Sequence, residues 1–128
     1  MTWETIYGQV VGKANHYMAV PAGQGGRRII KDEAIRRYER TFLQQCRIYR
    51  DKRISCRFRL FARVFHSSIR YDLDNSLKSI LDCLQMVEAI TDDKLCYEIR
   101  AEKHVDKRNP RVEYAIEVIN EQKELFAV

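Results

Sequence analysis

Residues 54–65, ISCRFRLFARVF, alternate between two kinds of side chain. Ile54, Cys56, Phe58, Leu60, Ala62 and Val64 share one face. Ser55, Arg57, Arg59 and Arg63 share the other, with Phe61 and Phe65 among them. A period of two with one apolar face is the pattern of a half-buried β-strand. Such a strand cannot stand alone, because its apolar face must be covered.

Two helical stripes supply the cover. Asp32 can cap a helix running to about Arg50, in which Ile35, Tyr38, Phe42, Cys46 and Tyr49 recur at spacings of three or four. Asp72 or Asp74 can cap a second, running to about Val87, with Leu73, Leu77, Ile80, Leu81 and Leu84 as its stripe. Residues 3–11, 95–105 and 111–119 read as further strands, the last two joined by the turn 106–110. The Gly-rich 21–26 reads as a hairpin tip between HYMAV and RRIIK, and the tail EQKELFAV as a short helical end or a frayed one. A G-x-G-G cluster can suggest a phosphate cradle, but no helix opens directly after it. The expected fold is α+β: one domain over 1–128, with two helices packed on one face of a mixed or mostly antiparallel sheet.

Charge is unevenly spread along a chain of net +5. Residues 1–26 are neutral, 27–63 carry 13 Lys and Arg against four acids, and 64–128 carry nine against 13. The basic block favours Arg, which suits phosphate, although a solvated helix face would read the same. Arg36, Arg37, Arg40, Arg57, Arg59 and Arg63 are the candidate contacts to a nucleic-acid backbone. The four cysteines form no C-x-x-C pair and fall in apolar patterns, so they read as reduced core thiols rather than a zinc site. The start MTWETIYGQVV has no signal-peptide pattern, and no apolar run reaches the roughly 18 residues of a membrane span. The expected location is the cytoplasm, with no membrane partner.

Within this basic chain, residues 71–94 hold five aspartates. Asp72 and Asp74 stand at the front and Asp92 and Asp93 at the back. A helix N-cap explains one of the first pair, and a turn could explain the second pair. Together they fit another account. Carboxylates are hard oxygen ligands, and Mg²⁺ prefers one or two of them beside substrate phosphates. Acidic residues in a polyanion-binding protein make sense with a divalent cation between them. The spacing lacks the D-x-D-x-D-G loop of an EF-hand, which argues against a structural Ca²⁺ site.

The pattern Asp72-Leu-Asp74-Asn75, Lys78, Asp82, Asp92-Asp93 resembles the signature of the RusA family of Holliday-junction resolvases. The resemblance is strong over 72–93 and looser elsewhere, where it includes Lys13-Ala-Asn15. It implies a small homodimeric, Mg²⁺-dependent endonuclease of bacteria or their phages, with Mn²⁺ as a possible substitute metal. Its substrate would be four-way junction DNA, cut by paired symmetric incisions in recombination and repair. By the resemblance, Asp72, Asp74 and Asp93 are the metal-binding aspartates and Lys78 the essential lysine, with Asn75, Asp82 and Asp92 in supporting positions. Lys78 could equally form an ordinary surface pair with Asp74 or Asp82. The loop before D-x-D is densely basic in the best-known members, whereas here it carries only Arg70. Tyr71 or Ile69 could stack at the junction centre, or pack on the helix start. The alternatives are a non-catalytic nucleic-acid binder and a metal nuclease acting on forks or flaps. Asp93 could complete its own subunit's site or its partner's.

Overall fold

The computed structural model describes residues 1–12, 17–23 and 25–119. Lys13-Ala-Asn15 and the tail EQKELFAV lie outside the described residues. In chain order the elements are β1 (Glu4–Tyr7), β2 (Tyr17–Ala22), β3 (Gly26–Lys31), α1 (Glu33–Gln45), β4 (Phe58–His66), α2 (Leu73–Met86), a 3₁₀ turn (Asp93–Leu95), β5 (Cys96–Val105) and β6 (Arg111–Val118). The fold is α+β, a single domain built on a mixed four-stranded sheet in the order β1-β6-β4-β5. β6 runs antiparallel to both β1 and β4, and β5 runs parallel to β4. That parallel pair is joined through α2, as parallel neighbours require a crossover. β2 and β3 form a separate antiparallel hairpin around the Gly-rich tip.

The alternation in β4 decides the layering. Phe58, Leu60, Ala62 and Val64 are buried, opposite Val118, Ile116, Tyr114 and Val112 of β6. Tyr38 and Phe42 of α1 and Ile80, Cys83 and Leu84 of α2 join the same apolar cluster, so both helices cover this face. Four cysteines are free thiols, with Cys46 and Cys83 buried. Burial pushes the Cys46 thiol up to about 11, which keeps it protonated and inert.

Three expected boundaries move. The first strand stops at Tyr7 rather than residue 11, because Gly8 adopts φ +114 and turns the chain. The first helix stops at Gln45 rather than Arg50. Its stripe is nonetheless right: Cys46 and Tyr49 are buried beyond the helix end. The cause is Glu4, whose carboxylate accepts from the N–H groups of Arg47 (2.7 Å), Ile48 (2.8 Å) and Tyr49 (3.3 Å), and from the Tyr114 hydroxyl (2.6 Å). Those N–H groups therefore do not continue the helix ladder. The central strand begins at Phe58 rather than Ile54, which instead forms an isolated bridge with Ile90.

Candidate active site

The first turn of α2 positions the leading aspartates. Asp72 occupies the N-cap with extended backbone, yet its side chain makes no cap hydrogen bond. Its carbonyl is held instead, accepting from the Ser76 N–H (3.3 Å) and the Ser76 hydroxyl (2.8 Å). Ser76 in turn lies 3.4 Å from His66 Nε2, and the Gln9 amide nitrogen lies 3.0 Å from His66 Nδ1. An amide nitrogen can only donate, so Nδ1 is the acceptor and the ring proton sits on Nε2, facing Ser76. Burial, then the charge of Lys103, hold the His66 pKa below the ordinary imidazole value, with Asp72 opposing. The buried, neutral His66–Ser76 pair, with the half-buried Gln9 behind it, thus fixes the backbone that carries Asp72. Tyr71 stacks on His66 with ring centroids 5.3 Å apart.

The segment 9–12 lies against the same helix. Gln9 Oε1 accepts from the Ser67 N–H (2.7 Å), and the Val11 carbonyl accepts from the Ser79 hydroxyl. A Cβ at Gly12 would stand 2.3 Å from Asn75 Nδ2, so only glycine admits this approach without moving Asn75. Gln9, Val10, Val11, Gly12, Ala34, Arg70, Tyr71, Asp72 and Asn75 line a cleft of about 370 Å³ beside the D-x-D turn.

Asp74, Lys78 and Asp82 follow at four-residue spacing on one side of α2. Asp74 and Lys78 are exposed and Asp82 is partly so. Lys78 Nζ lies 3.5 Å from Asp82 Oδ1 and 3.3 Å from Asp93 Oδ2. The hydrogen bond that Lys78 donates to Asp93 is the main cause of a raised Lys78 pKa, which keeps the ammonium charged. Asp93 therefore returns to α2 of its own chain, one turn from Asp74. Its return is guided by the segment 51–54: Asp51, Arg53 and Ile54 donate N–H bonds to the carbonyls of Val87, Glu88 and Ala89. Gln85 Oε1 then accepts from the Asp93 N–H at 3.0 Å. Asp92 is different. Its carboxylate caps the 3₁₀ turn by accepting from the Lys94 N–H (2.9 Å), and that bond holds its pKa down.

The donor set suits a hard cation: exposed or half-exposed carboxylates with open coordination sites. Among the described residues no three carboxylate, imidazole or thiol groups stand close enough to close a cage. A site of one or two carboxylates completed by water and phosphate is the usual Mg²⁺ arrangement, and these residues fit it.

The arginines divide into two groups. Arg36, Arg37 and Arg40 are exposed on α1, with Arg40 paired to Glu33 at 2.8 Å, and Arg70 borders the cleft. Arg59 and Arg63 lie on the sheet face away from the helices. Arg59 pairs with Glu98 and, at 2.9 Å, with Glu117; Arg63 lies 3.7 Å from Glu113 and 4.3 Å from the Trp3 ring centroid. Arg57 stacks over Tyr97. The sheet arginines Arg59 and Arg63 are thus matched by cross-strand glutamates, and Arg70 lines the same cleft as Asp72.

Gln9, His66, Ser76 and Gln85 were not visible as site residues in the sequence. His66 reads there as the start of a loop, although it continues the even-numbered alternation of Phe58 to Val64, and that parity is the signal for its burial. No helix among the described residues is long and apolar enough to cross a membrane. No curated protein sequence matches the chain. The family profile described as Endodeoxyribonuclease RusA matches residues 8–117, which span the cleft, α2, the 3₁₀ turn and most of the sheet. The chain therefore belongs to the RusA endodeoxyribonuclease family.

Proposed function

We propose that this protein is a Mg²⁺-dependent endonuclease that resolves four-way DNA junctions by paired symmetric cuts, acting as a homodimer in the bacterial cytoplasm on cellular or phage DNA. The observation that carries the reading is the Asp72–Asp74 turn at the start of α2, where the Asp72 carboxylate takes no cap bond and Lys78 stands one turn on.

In this reading Asp72, Asp74 and Asp93 hold one or two Mg²⁺, each ion taking one or two of the three carboxylates, with Mn²⁺ able to replace Mg²⁺. A divalent cation held by these carboxylates would supply Lewis-acid polarisation of the scissile phosphate and a more acidic water for in-line attack. Lys78 stays protonated and stabilises the negative charge that develops on the phosphate. The neutral His66–Ser76 pair holds the Asp72 backbone so that the carboxylates need little reorganisation. Asn75, whose N–H donates to Asp74, supports the turn, Asp82 supports the lysine, and Asp92 shapes the 3₁₀ turn. Arg36, Arg37, Arg40 and Arg70 position the DNA backbone without reading sequence. Arg57, Arg59 and Arg63 contribute less, being matched on the far face of the sheet.

The test is cleavage of a mobile four-way junction beside linear duplex, a fork and a flap, each with Mg²⁺ or EDTA. Paired cuts on the junction, abolished by EDTA, are expected. Faster cutting of forks or flaps would overturn the substrate while retaining the site. Junction binding without cutting in any metal would make the protein a non-catalytic binder.

A further inference from the structure

The cleft beside the D-x-D turn has a volume of about 370 Å³, within the usual range for a small-molecule site. Asp72 and the exposed Arg70 both border it. The wall made by residues 9–11 has few polar atoms left to offer. The Gln9 amide is committed at both ends: its nitrogen donates to the Val10 carbonyl (2.9 Å) and to His66 Nδ1 (3.0 Å), and its oxygen accepts from the Ser67 N–H (2.7 Å). The Val11 carbonyl is taken by the Ser79 hydroxyl. Tyr71 also borders the cleft, and it stays 39% exposed although its ring lies on His66 with the two planes 6° apart.

A free phosphate finds little to bind on such a wall. A flat, uncharged ring joined to an anion fits it better: the ring against the aliphatic and aromatic surface, the anion toward Arg70 and the metal-binding turn. Ala34, the second residue of α1, lines the cleft with a methyl group where a longer side chain would fill it. Gln9, Val11 and Ala34 also line a second depression, of about 270 Å³, that runs on to Thr41 and the exposed Arg37. The two depressions share a wall, so a strand leaving the cleft has a path that ends at a cation.

From this geometry we infer that the cleft is a nucleobase pocket. It takes the base of the nucleotide next to the scissile phosphate, swung out of the stack, while the strand continues past Ala34 toward Arg37. Unstacking is least costly where pairing is already interrupted, as at a branch point. The pocket makes the choice of cut site depend on the base it accepts. Its place beside the scissile phosphate rests on the metal-nuclease reading; its affinity for a nucleotide does not.

The test is nucleotide binding to the full chain in Mg²⁺, followed by backbone amide shifts. The probes are the four deoxynucleoside 5′-monophosphates, with deoxyribose 5-phosphate as the control. The control carries the same phosphate, so the difference isolates the base. At least one nucleotide binds about five-fold or more tighter than the control, the gain expected of a base stacked on an aromatic wall, and shifts the amides of 9–12 and 71–75. Ala34→Leu fills the pocket and removes that gain while affinity for the sugar phosphate is kept, and Tyr71→Leu reduces it. Circular dichroism checks that both variants fold. Nucleotides that bind no tighter than deoxyribose 5-phosphate overturn the proposal, as does a gain that survives in Ala34→Leu or is undiminished in Tyr71→Leu. On junctions that differ in the bases flanking the crossover, Ala34→Leu also flattens the cut-site preference of the original protein. An unchanged preference overturns the placement beside the scissile phosphate. Absence of cleavage on every junction fails the nuclease reading and leaves the nucleotide comparison intact.

Discussion

Glu4 and Asp72 are carboxylates that both stand beside backbone N–H groups near a helix end, and they differ in what their oxygens do. Glu4 is 5% exposed and is surrounded by donors: three consecutive backbone N–H groups, the Tyr114 hydroxyl and the Cys46 thiol at 3.5 Å. Those bonds outweigh the burial that would raise its pKa, so the pKa ends below the ordinary glutamate value. Asp72 is exposed and its side chain takes no cap bond, although the N-cap is where such a bond is expected. Asp74 accepts only the adjacent Asn75 N–H, at 2.9 Å, among its hydrogen bonds described here. A carboxylate enclosed by donors organises the fold, whereas one left open at a helix start is free to take a ligand.

Substitutions should separate the two regions cleanly. The largest effect belongs to Asp74→Asn, which should slow junction cleavage by about 10³-fold, since metal ligation supplies several kcal/mol at the transition state. Its melting temperature should stay within a few degrees of the original. Glu4→Gln should do the reverse, costing about 3 kcal/mol in denaturant unfolding because a charged acceptor is lost from a buried network. Junction cleavage per folded molecule should be unchanged. The same carboxylate sets a pH dependence. Its folded pKa is depressed, so its contribution is complete above the unfolded value of about 4.5 and is lost as pH falls through the folded value. Urea midpoints measured from pH 6 to pH 3 should therefore fall less steeply for Glu4→Gln. Lys78→Gln should reduce cleavage by about 10²-fold with junction affinity little altered; an unchanged rate would reduce Lys78 to a surface ion pair. The smallest effect is expected at Arg59→Gln, where the loss of partly exposed cross-strand pairs should cost no more than about 1 kcal/mol and leave the salt dependence of junction binding unchanged.

Periodicity reveals whatever is local. The β4 alternation, the α2 stripe and the β5–β6 turn all follow from neighbours in sequence, and the D-x-D turn is itself a local feature. Long-range contacts are not so visible. Nothing near Gln45 announces that Glu4 will take the next N–H groups, so the sequence stripe runs on to Arg50. Arg59 and Arg63 read as a basic surface because the glutamates that match them lie on β5 and β6. The position of Asp93 depends on the contact between 51–54 and 87–89, which spacing alone cannot reveal. The hydrogen-bond chain through His66 was hidden for the same reason, since its members come from residues 9, 66 and 76.

The most direct measurement is single-turnover cleavage of a four-way junction by Asp74→Asn, recorded beside its junction-binding curve in saturating Mg²⁺. The account predicts cleavage slowed by about 10³-fold, with binding within about two-fold of the original protein. Cleavage at the original rate would contradict it, and would move the chemistry away from the start of α2.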